Sequence, residues 1–191
     1  MRRLLRAYRY IPGFRRLKRA WRSRGFGIHS PFAFRFVTCV LREKGEYYAY
    51  PALRRLAGKG RRFRSIALIF RLVCEFRPRF VVVSGERNRN EVALAVALAD
   101  SGVQTVGSLP EDLPASVPVI FVSLSGDEAG RLAHLAGIQE RRAVGVWIDV
   151  PRGVRQSLKM NLRSGMTFAG SRMFIAVCRP DLPRQDFEIN F

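Results

Sequence analysis

Apolar positions change their spacing partway along the chain. Up to about residue 79 they recur at three- and four-residue intervals, as on one face of a helix. Leu4, Tyr8 and Ile11 share one such face, and Phe14, Leu17 and Trp21 another, with Pro12-Gly13 between them. Ser30 followed by Pro31 reads as an N-cap and first helical residue, opening a helix with Phe32, Phe36, Val37 and Val40 on its apolar side. A second helix is predicted near Pro51. A third runs from about Ser65 to Glu75, with Ile66, Ile69, Phe70 and Val73 on one side.

From Phe80 the apolar residues gather into short continuous runs separated by helical stretches, the signature of a mainly parallel α/β sheet. Predicted strands are Phe80–Ser84, Val103–Val106, Val117–Leu124 and Ala143–Val150, with Phe80–Ser84 buried inside the sheet. Helices are predicted at about Asn90–Asp100, Asp127–Ala136 and Val154–Arg163, with Asn90 and Asp127 as N-caps. Three short strands follow, Met166–Ala169, Arg172–Cys178 and Asp186–Phe191, and predict an antiparallel hairpin at the sheet edge. The pattern divides the chain into a basic helical N-terminal extension, residues 1–79, and a compact Rossmann-like α/β core, residues 80–191.

Charge sharpens that division. The 191 residues carry a formal net charge of +19, of which residues 1–64 hold +17 and residues 65–191 only +2. Arginine this dense can neutralise phosphates of nucleic acid or anionic lipid, or sit solvated on helix faces. No apolar run is long enough for a membrane span, and no continuous apolar stretch resembles a secretory signal. Cys39, Cys74 and Cys178 are an odd, scattered set, which argues for reduced thiols and a cytoplasmic protein. With only two histidines and no paired cysteines, no metal site is expected.

The stretch Phe80–Ala99 bears most on function. A buried strand, a short turn and an apolar helix form the opening unit of a nucleotide-cofactor fold, in which glycines let the backbone approach a ligand. Here the turn holds only Gly85, followed by Glu86, Arg87, Asn88 and Arg89. Val81-Val82-Val83-Ser84 ends without a carboxylate, and Val106-Gly107-Ser108 ends the second strand in the same way. Asp149 is a carboxylate at the end of a predicted strand, equally placed to serve a site or to cap the helix near Val154. His29 beside Ser30 reads as part of a structured loop, and His134 as a structural residue in an apolar helix.

The segments GFGIHSPFAF, REKGEYYAY, RLVCEFRPRFVVVSG and MFIAVCRPDLPRQDFEINF together resemble small class I S-adenosylmethionine-dependent methyltransferases of Bacteroidetes-type bacteria. The resemblance covers both ends of the chain and the first strand–helix unit. It implies a Rossmann-like methyltransferase core and, if the site is functional, S-adenosylmethionine contacts from Gly85, Asn88, Asp149 and His29, with an unknown methyl acceptor. The departures from the family point the other way. Val83 stands where the family has an acid, Arg89 replaces a later glycine, and Ser125 replaces a strand-end aspartate. Gly85 and Ser125 lie only 40 residues apart, so one strand–helix unit is missing or abbreviated. The expectation is a methyltransferase-like protein with an eroded cofactor site, a pseudoenzyme. The alternative is a non-enzymatic binding module in which residues 1–64 hold nucleic acid or an anionic membrane surface.

Overall fold

The computed structural model describes residues 25–86, 88–124 and 127–191, together with Ala20. The two apolar faces between Leu4 and Trp21, and Ser125, lie outside the described residues. Seven strands form one sheet: β1 (Phe80–Ser84), β2 (Gln104–Val106), β3 (Val119–Ser123), β4 (Val144–Ile148), β5 (Met166–Ala169), β6 (Met173–Val177) and β7 (Gln185–Glu188). Their order is β2-β1-β3-β4-β6-β5-β7. Every strand runs in one sense except β6, which is antiparallel to both β4 and β5. The fold is α/β with a mostly parallel sheet, Rossmann-like in architecture.

The helices are α1 (Pro31–Arg35), α2 (Tyr50–Ala57), α3 (Arg61–Phe76), α4 (Arg89–Ala99), α5 (Glu128–Glu140) and α6 (Arg152–Asn161). Ser30 caps α1 by accepting from the Ala33 amide at 3.2 Å. The helix then widens into a π-helical segment, Phe36–Leu41, closed by the Arg42 amide on the Val37 carbonyl. That winding buries four of its six residues, Phe36, Val37, Val40 and Leu41. Phe36 meets the Phe168 ring of β5 at 4.8 Å and so ties the N-terminal helices to the sheet.

Side chains alternate across the sheet, as strand geometry requires. Val81, Val83, Ile120, Val122 and Val146 face a core shared with α1 to α4. Phe80, Val82, Phe121, Trp147 and Phe174 face a second core covered by α5 and α6, through Leu135, Ile138 and Leu158. β1 pairs with a strand on each side and is buried on both faces, as its unbroken apolar run demands.

Three expectations are corrected. The hairpin β5–β6 is not at the edge: β6 is inserted between β4 and β5, and β7 takes the edge, parallel to β5. Burial explains the arrangement. Both β5 and β6 are buried throughout, whereas β7 buries only Phe187 and leaves charged side chains outward, as edge strands do. The N-cap of α4 is Asn88, not Asn90. The helix after β4 is preceded by Pro151 at its cap position, and Asp149 does not cap it. Between β2, a three-residue edge strand, and β3, residues 107–118 hold neither helix nor strand.

Candidate functional site

In an open parallel sheet, ligands bind beyond the carboxyl ends of the strands, where chain connections diverge to opposite faces. Here that point lies between β1 and β3. The Leu124 amide donates to the Ser84 carbonyl at 3.0 Å, so the two strands remain joined past their ends. Ser84 Oγ lies 3.4 Å from His134 Nδ1 on α5, and the imidazole presents its edge to Phe121. Burial holds the His134 pKa below the ordinary histidine value, so the ring is neutral near pH 7.

Gly85 leaves β1 with φ of 94°, a conformation that suits glycine, and Asn88 takes φ of 63° at the start of α4. Asn88 makes no side-chain cap bond. Arg89 pairs with Glu86 at 3.2 Å and carries its guanidinium across to the end of β2: one Nη atom lies 3.1 Å from where a Cβ on Gly107 would stand. A positive charge thus covers the end of the second strand.

Asp149 lies at the end of β4, two strands from Gly85, roughly 10 Å at ordinary strand spacing. Its φ of 53° is left-handed, which aspartate tolerates better than most residues. Its carboxylate pairs with Arg172 at 3.2 Å. Behind it Arg131 is buried, and desolvation lowers the Arg131 pKa while Asp149 opposes that fall. Asp149 therefore faces two guanidinium groups.

His29 is exposed in the loop before α1, and no hydrogen bond or ion pair connects it to Gly85, Asn88 or Asp149. Gly85 and Asn88 lie close together between β1 and α4; Asp149 and His29 stand apart from them. Sequence reading missed the Ser84–His134 contact, Arg131 and Arg172. Only the placement of Ser84 at a strand end could have flagged the first. Among the described residues no group of three or more His, Cys, Asp or Glu side chains could hold a metal ion, and no helix is long and apolar enough to cross a membrane. Cys39 and Cys74 are exposed free thiols, and burial pushes the Cys178 thiol up to about 12.

Comparison with protein-family models, with curated proteins and with solved structures finds no match to this chain.

Proposed function

We propose that the chain is a methyltransferase-like protein that has lost ordinary use of S-adenosylmethionine, a pseudoenzyme built on a Rossmann-like core. The single observation that carries this reading is Arg89. Its guanidinium occupies the end of β2, where the ribose of the cofactor would need an acceptor and where Gly107 offers none. A guanidinium there is also unfavourable for a ligand bearing a cationic sulfonium. Two further features agree. Val83 is buried and apolar where the family has an acid, and Asp149 is already engaged by Arg172. The residues present do not fit the cofactor, so no methyl-transfer step is derived for them.

Each lost charge-assisted hydrogen bond costs about 1.5–3 kcal/mol, or about tenfold to a hundredfold in affinity. Isothermal titration with S-adenosylmethionine and its demethylated product is expected to show no saturable binding in the micromolar range. Low-micromolar binding of either would overturn the reading.

The second reading, a non-enzymatic module for nucleic acid or an anionic membrane surface, has its own support. Residues 25–64, all of them described, hold nine basic side chains against two acidic ones. The two readings are compatible, because one concerns the sheet edge and the other the helical layer.

A further inference from the structure

Beside Arg172 the carboxyl edge opens into a cleft of about 610 Å³ between the loop 41–46, helices α2 and α3, and the segments 171–173 and 190–191. Seven of its lining side chains are arginine or lysine and two are glutamate. Cations outnumber the two glutamates, so the cleft keeps a net positive charge. Glu46 is engaged by Arg54 at 2.8 Å, and the Glu43 carboxylate accepts from the Gly45 amide in its own loop.

Two polar groups of this wall have no protein partner. Arg71 donates from Nη1 to the Glu43 carbonyl at 2.5 Å and from Nη2 to the Leu41 carbonyl at 3.5 Å, which fixes its guanidinium. Its Nε is buried without an acceptor. Tyr50 is 5% exposed and its hydroxyl is likewise buried and unpaired. The ring is held edge-on against Phe63 at 5.3 Å and Phe70 at 6.1 Å, which fixes the residue in the wall of the cleft. Buried polar groups are almost always satisfied, and an exception calls for a reason. Arg71 Nε can only donate, and Tyr50 can donate too. What the wall lacks is an acceptor.

We propose that this cleft binds a small organic phosphate with more than one negative charge, of about the size of a nucleoside diphosphate, through Tyr50, Arg71, Arg61, Arg64 and Arg172. Phosphate oxygens accept several donors at once and match guanidinium geometry. The volume lies within the range of small-molecule sites. Arg54, paired with Glu46, stacks over Phe63 at 4.8 Å and forms with it a wall against which an organic body can lie. Neither Gly85 nor Asn88 lines the cleft, which meets the cofactor edge at the Arg172–Asp149 pair.

The test is calorimetric titration of the full chain with inorganic pyrophosphate, ADP and adenosine at about 0.15 M salt, where long-range attraction is screened. Pyrophosphate and ADP are expected to bind saturably, one per chain, and adenosine not to bind. Tyr50→Phe removes only the unpaired hydroxyl. It should weaken both ligands about tenfold or more while leaving the melting temperature of the ligand-free protein unchanged or higher. Arg71→Gln should weaken them further, and Arg152→Ala, an exposed charge outside the cleft, should leave affinity unchanged. The proposal falls if neither ligand binds saturably, if Tyr50→Phe binds like the wild type, or if Arg152→Ala weakens binding as much as Tyr50→Phe. Failure here leaves the S-adenosylmethionine titration unaffected, so the two readings are separable.

Discussion

Single residues at the carboxyl end of the sheet are engaged with one another. Ser84 ends the first strand and rests against His134 rather than facing a ligand. Asp149 pairs its carboxylate with Arg172. These contacts join positions far apart in the chain, 50 residues for Ser84 and His134. Local pattern therefore showed where the strand ends and not what would meet it. The histidine gives a measurable consequence. Its folded pKa lies below the ordinary value because burial disfavours the imidazolium. As pH falls below about 6.5, the unfolded chain takes up this proton before the folded one, so stability falls with it. The melting temperature of the wild type should drop between pH 7.5 and 5.5 by more than that of His134→Asn, which keeps an acceptor and does not titrate. Parallel curves for the two proteins would show that His134 contributes nothing to the acid sensitivity.

At the scale of elements, legibility followed the strength of the local signal. The unbroken run Phe80–Ser84 gave a strand with its bounds as read, and Met166–Ala169 did so as well. Asp127 caps its helix by accepting from the Gly130 amide at 2.9 Å, as its position before an apolar helix implied. The π-helical winding of Phe36–Leu41 was hidden, because the same apolar positions suit an α-helix. The insertion of β6 was hidden too, since strand order depends on pairing that no short window contains. Gly145 in β4 shows packing fixing a residue type within a strand. A Cβ there would lie 2.5 Å from the Trp147 ring and 2.7 Å from Ile138 Cδ1. Trp147 is fully buried and cannot yield toward solvent. Gly145→Ala is expected to destabilise the protein by about 1–3 kcal/mol through overpacking. Chemical denaturation checks this, and an unchanged midpoint would mean that the α5 side of the core is looser than its geometry implies.

For the whole molecule, charge and shape act at different ranges. A net charge of +17 on residues 1–64 would attract any polyanion, with no requirement for geometry. The cleft beside Arg172 instead combines nearby cations with fixed donors, and it could not be read from sequence because five separate segments build it. The net charge could be read, because it needs only a count of charges. Full-length protein should therefore be retained on heparin at low salt and released steeply as salt rises, through counterion release. Removing residues 1–24 takes away ten basic side chains and no acidic one, and should flatten that salt dependence. A truncated protein that melts lower and exposes apolar surface would show instead that Tyr8, Phe14 and Trp21 pack on the rest of the molecule. Tyr50→Phe changes no charge, so its heparin elution should match the wild type even as its affinity for pyrophosphate falls. Coincident loss of both would mean that a single surface serves both ligands, and absence of any retention at low salt would remove the polyanion reading altogether.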